Sequence, residues 1–137
     1  MGFTIETKHM LAEDLPRDAV ARLPDNANIE YVRAWYVIDR ANRVFGFDGW
    51  SYSVISMQSL RDEAVTKQGK DGPYVSREAI VQAIVEVVVG DVKRRDVGIG
   101  TGVASERNAS QAIELAWKAA ATDALKRCLR TFGMGFG

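Results

Sequence analysis

The chain has 137 residues, 47% of them hydrophobic, and its 18 basic side chains are matched by 18 acidic ones, leaving no formal net charge. This is the size of one ordinary domain with enough apolar mass for a core, and it excludes a whole-protein field drawing the chain onto nucleic acid, so any anion binding must come from local arrangement. A single cysteine, Cys128, excludes an internal disulfide, and with His9 as the one histidine there is no zinc-binding set.

The residues from Met1 to His9 lack the long apolar run of a signal peptide, and no stretch approaches the roughly twenty apolar residues of a membrane span, which reads as a soluble intracellular protein. Residues 8–24 give a short amphipathic segment closed by Pro16 and Pro24, a helical turn or two with a loop. Asn26 or Asn28 then offers an N-cap for a helix through Phe45, with Ile29, Val32, Trp35 or Tyr36, Ile38 or Asp39, and Arg43 alternating faces at helical spacing and Gly46 at its end. From Trp50 to Leu60, aromatic and β-branched residues in rough alternation predict a strand. Residues 61–73 break that pattern with charge, two glycines and a proline, and are expected to form a long mobile loop.

The strongest strand signal follows. Ala79, Val81, Ala83, Val85, Val87 and Val89 form an apolar row of period two, and the opposite row, Ile80 to Val88, is apolar enough to need partial cover. Gly90-Asp91 makes a tight turn into Val92–Gly98, so these strands should pair as an antiparallel hairpin. Gly98, Gly100 and Gly102 then lead through a loop to Ser105 or Asn108, either of which can cap a long last helix. Helix, three antiparallel strands and long helix make an α+β arrangement, a curved meander with helices on one face.

On the last helix Lys126, Arg127 and Arg130 fall within about a third of the circumference, opposite Ile113, Trp117, Ala121, Ala124, Leu125, Cys128 and Phe132. One face is built for burial and the other is positive. Cations at a helix C-terminus also complement the helix dipole whatever the protein does. Three fixed charges on a rigid element are equally a means of tracking a phosphate backbone. Catalytic machinery is not visible: Gly98-Ile-Gly-Thr-Gly102 lacks the spacing and the following Lys-Ser or Lys-Thr of a phosphate loop, and Glu86, Asp91 and Asp96 are isolated on strands. No metal, no cofactor and no enzymatic activity are expected.

Three stretches together carry a resemblance. Val37 to Trp50, Asp96 to Gly100 and Ala121 to Gly133 are similar, in the same order, to the first helix and strand entry, the later strand and the DNA-binding helix of the Rad52/Rad22-type single-strand annealing proteins. The resemblance implies a homo-oligomeric ring that binds single-stranded DNA in an outer groove, backbone inward and bases out, and anneals complementary strands in recombination and repair without a nucleotide. It implies phosphate contacts for Lys126, Arg127 and Arg130, and it puts Phe47 where many members carry a tyrosine beside the groove. Where members place an arginine early in the first helix this chain has Tyr36, with Arg33 or Arg40 as substitutes from a neighbouring turn. Arg107 falls near a lysine used at a second, duplex-holding site, and Arg61, Lys67 and Lys70 belong either to a flap over DNA or to a plain solvated loop. A chain ending at Gly137 suggests a short bacterial or phage member.

Two other classes fit the residues. A basic helix on a three-stranded sheet also suits double-stranded or folded RNA, recognised by shape. A purely structural oligomer would use the same cations for intersubunit salt bridges with Asp14, Asp18 or Glu30.

Overall fold

A computed structural model describes residues 3–12, 20–23, 26–32 and 34–133. In chain order the elements are α1 (Ile5–Leu11), β1 (Val20–Leu23), β2 (Asn26–Val32), α2 (Ala34–Phe45), β3 (Ser51–Gly69), β4 (Gly72–Val89), β5 (Val92–Ser105) and, after a single 3-10 turn at Glu106–Asn108, α3 (Ala109–Arg130). The fold is mixed α+β, with β3, β4 and β5 side by side in one sheet and β1 and β2 in a separate antiparallel pair. Two-residue turns at 70–71 and 90–91 make both joints of the larger sheet antiparallel hairpins. The expected tight turn at Gly90-Asp91 is present, with Gly90 at φ +58°, the left-handed first position of a type II′ turn.

Three expectations are corrected. Residues 61–73 are not a loop: β3 runs through to Gly69 and β4 starts at Gly72. The charges that hid this extension pair along and across the strands, Arg77 with Asp62 at 2.7 Å, Lys67 with Glu78 at 3.9 Å and Arg61 with Glu63. The Arg77 guanidinium beside it lowers the pKa of the Asp62 carboxyl from its ordinary value. Nor does the first long helix begin at Asn26 or Asn28; those residues belong to β2, which pairs Val32 with Val20, and α2 starts only at Ala34. Finally, Gly98, Gly100 and Gly102 lie inside β5 rather than in a connecting loop.

The residues group into two compact units, one of Met1–Ser53, Glu86–Arg95 and Leu125–Gly137, the other of Val54–Val85 and Asp96–Ala124. In the second, β4 buries Ala79, Val81, Ala83 and Val85 as the period-two row predicts, each valine contributing about 1.5–3 kcal/mol on leaving water. Its helix packs differently from expectation. The buried stripe of α3 there is Ala112, Ala116, Ala120 and Ala124, while Trp117 is 48% exposed. The alanines lie directly on the glycines of β5: a methyl at Gly98 would come 2.2 Å from Ala124 N, at Gly100 2.2 Å from both Ala116 O and Ala120 N, and at Gly102 1.9 Å from Ala112 O. Two strand residues advance about 6.8 Å and four helix residues about 6 Å, so the two small-residue stripes stay in step over this length. Bare strand backbone against an alanine face brings the helix axis as close to the sheet as sterics allow.

The first unit has a larger-grained core. Val37 and Ala41 of α2, Val87 and Val89 of β4 and Leu125, Cys128, Leu129 and Phe132 are buried, and Phe3, Phe45 and Phe132 form a ring cluster with centroids 5.6–6.0 Å apart. Helix α1 is capped by Thr4, whose hydroxyl accepts from Thr7 N at 3.1 Å. Helix α2 closes at Gly46, φ +86°, whose N–H donates to Asn42 O. The side chain of Asn42 also accepts from Trp50 Nε1 at 2.8 Å, tying the entry of β3 to the helix.

Candidate nucleic-acid interface

The last turns of α3 carry the cations. Leu125, Cys128 and Leu129 are buried, Lys126 at the border of that face is half-buried, and Arg127 and Arg130 beyond it are exposed. The helix ends in short-range bonds, Thr131 N to Cys128 O, Phe132 N to Leu129 O and Gly133 N to Arg130 O, and the Thr131 hydroxyl also donates to Cys128 O at 2.7 Å. These terminal carbonyls are thereby satisfied from within. The cations therefore lie together on a short helical strip, with Arg127 and Arg130 facing solvent.

Phe47 sits in the tight turn between α2 and β3 and is 86% exposed, with Gly46 before it and Gly49 after. A methyl at Gly49 would lie 1.8 Å from Phe45 O, so the turn has room for hydrogen only at that point. The ring is held out by the backbone with little of its surface covered. Just beyond, Trp50 and Tyr52 stack with centroids 5.8 Å apart.

Other residues singled out in the sequence are placed differently. Tyr36, at 9% exposure, lies in the core beside Trp35, because the first turn of α2 presents that position inward. Arg40 is half-buried and its guanidinium donates to Met10 O near the end of α1, which gives it a positioning task between the two helices. Arg33 lies outside the described residues, as do Asp14 and Asp18. Arg107 is exposed on the 3-10 turn of the second unit, next to Glu106, which pairs with Arg77 at 3.5 Å. Arg61 and Lys67 are not on a flap but on β3, each with an acidic partner. The residue that sequence reading passed over is Arg94, whose guanidinium carbon stands 5.3 Å from the centre of the Phe132 ring. Its signal in the sequence is the basic triplet Lys93-Arg94-Arg95 within the strand Val92–Gly98.

Among the described residues no group of three or more His, Cys, Asp or Glu is placed to hold a metal ion, and no helix is long and apolar enough to cross a membrane. A family model described as Rad52/22 family double-strand break repair protein matches residues 5–137. The chain belongs to this family. Among its curated Rad52/22 relatives, the DNA repair and recombination protein RAD52 of Saccharomyces cerevisiae is 40% identical over 111 residues, 81% of this chain and 22% of its own length. That of Candida glabrata is 39% identical over 113 residues, 82% of this chain and 21% of its own length. The DNA repair and recombination protein rti1 of Schizosaccharomyces pombe is 35% identical over 133 residues, 93% and 33%. The chain thus spans about a fifth to a third of these Rad52/22 proteins. They are fungal, and give no support to the bacterial or phage source suggested by chain length.

Proposed function

We propose that this chain binds single-stranded DNA through its backbone and anneals complementary strands in recombination and double-strand break repair, acting as one subunit of a homo-oligomeric ring. The observation that carries the reading is the grouping of Lys126 with the exposed Arg127 and Arg130 on one side of a helix whose opposite face is fixed in the core. Membership of a family described by double-strand break repair, and relatives named for DNA repair and recombination, support it. In a eukaryotic cell the work would lie in the nucleus or an organelle. A chain with no net charge gains a positive track when identical strips repeat around an assembly, and that track should weaken with salt. Base pairing supplies the driving force, and the protein lowers phosphate repulsion between extended strands.

Assembly has its own support. Strand β3 is an edge of its sheet, and Tyr52, Val54, Ile55 and Leu60 on it are 43–49% exposed. A long edge with apolar side chains exposed is a surface that pairs with another copy. Sedimentation at micromolar concentration should therefore give a multimer, and a monomer would remove the shared groove. Mass with and without a single-stranded oligonucleotide, followed by comparison of unpaired DNA, duplex DNA and duplex RNA at one salt concentration, tests the ligand. Preference for duplex RNA would favour the RNA reading. Loss of assembly without loss of DNA binding on Arg127→Ala would favour a structural oligomer.

Phe47→Ala probes the base side. A ring on which bases rest should be worth on the order of 1–3 kcal/mol of binding, with the melting temperature of the free protein unchanged because the ring covers so little core. Reduced thermal stability with intact binding would assign the ring to folding instead.

A further inference from the structure

We propose that Arg94, at the start of β5 and held against the end of α3, is an additional phosphate contact; the inference rests on the single-stranded DNA reading above. All of Lys93, Arg94 and Arg95 are exposed, yet they are held differently. Arg95 is committed to the neighbouring strand, its Nε 2.7 Å from Glu86 Oε2. This follows from the two-residue turn, which sets Val89 opposite Val92 and Glu86 opposite Arg95. Arg94, one residue earlier, faces the other way and meets the end of α3.

Two contacts fix it there. Cys128 Sγ–H donates to Arg94 O at 2.9 Å, which pins the strand backbone to the helical turn that also carries Arg127. The Arg94 guanidinium lies over the Phe132 ring at 5.3 Å, two residues past Arg130. A guanidinium laid on an aromatic face keeps its charge and its edge donors while losing much of its rotamer freedom. Less ordering entropy then remains to be lost when a phosphate arrives, and the planar fork suits two phosphate oxygens at once. The lone cysteine gains a role from the same geometry, as the donor that fixes the height of the strand against the end of the helix.

The test is the salt dependence of binding to single-stranded oligonucleotides of several sequences, using the whole chain. Arg94→Gln should weaken binding to all sequences alike and lower the slope of log affinity against log salt by about 0.7, the value for one phosphate contact on a single strand. Arg94→Lys should restore the slope with reduced affinity, since the charge returns without the fork. Arg95→Gln should leave the slope as in the wild type. Should Arg94→Gln fail to fold, Arg94→Met, which keeps an apolar stem on Phe132, carries the same expectation. A wild-type slope for folded Arg94→Gln or Arg94→Met, alongside a reduced slope for Arg127→Ala, would overturn the inference and leave the DNA reading standing. If Arg127→Ala also kept the wild-type slope, the DNA reading would fall with it.

Discussion

Gly100→Ala is expected to destabilise the protein by at least about 3 kcal/mol, the upper end of ordinary overpacking and a large part of a typical domain's total. The added carbon would sit 2.2 Å from both Ala116 O and Ala120 N, well inside van der Waals contact. In a usual core a neighbour can change rotamer, but here the atoms met belong to the helix backbone. The strand or the helix must move, and movement at Gly100 disturbs the matching approaches at Gly98 and Gly102. Denaturant unfolding of Gly100→Ala beside Thr101→Ala checks this. Thr101 is the exposed neighbour on the opposite face, and its change should stay within about 0.5 kcal/mol. Equal midpoints for the two variants would show that the helix does not sit on the strand as described.

The triple variant Lys126→Ala, Arg127→Ala, Arg130→Ala should keep the fold and lose both single-strand binding and annealing. None of the three is fully buried, and the packing of the last turns rests on Leu125, Cys128, Leu129 and Phe132, so the melting temperature should change little. With up to three phosphate contacts removed, the salt slope should fall by about 2, at roughly 0.7 per contact. Annealing of complementary strands by the wild-type chain should proceed without ATP, and single variants should lose it in step with their loss of binding. Tight single-strand binding by the wild type without faster pairing would leave a protective binder as the better description. Unfolding of the triple variant would mean that the charged face is structural.

Where burial alternates strictly, the sequence displayed the structure. The row from Ala79 to Val89 and the turn at Gly90-Asp91 are both as the pattern predicts, because one face of β4 is fully covered and a single glycine must take a left-handed φ. The far half of β3 was illegible for the converse reason. Residues 61–69 are mostly exposed on both faces, so no hydrophobic period marks them, and their cohesion comes from hairpin pairing and cross-strand charges such as Arg77 with Asp62. In helix α3 the buried stripe is alanine, which contrasts weakly with its surroundings, whereas the bulky Ile113 and Trp117 that the pattern marks as core are half-buried and exposed. The β5 glycines looked like loop residues because close approach by a helix needs the same absence of a side chain that a turn does. At the candidate site the exposure of Arg127 and Arg130 follows the helical pattern. The inward turn of Tyr36, the bond from Arg40 to Met10 and the seat of Arg94 on Phe132 depend on which elements meet, and no single segment records that.

The glycine and alanine seam also limits how this protein can change over time. A typical core lesion can be rescued by shrinking a side chain opposite, so paired substitutions drift together through a lineage. At Gly98, Gly100 and Gly102 the nearest atoms on the helix are amide nitrogens, carbonyl oxygens and Cα carbons, which no codon can trim. A search for intragenic suppressors of Gly100→Ala should consequently return reversion to glycine and nothing on the alanine stripe, making this strand a place where the ancestral residue is held by geometry alone.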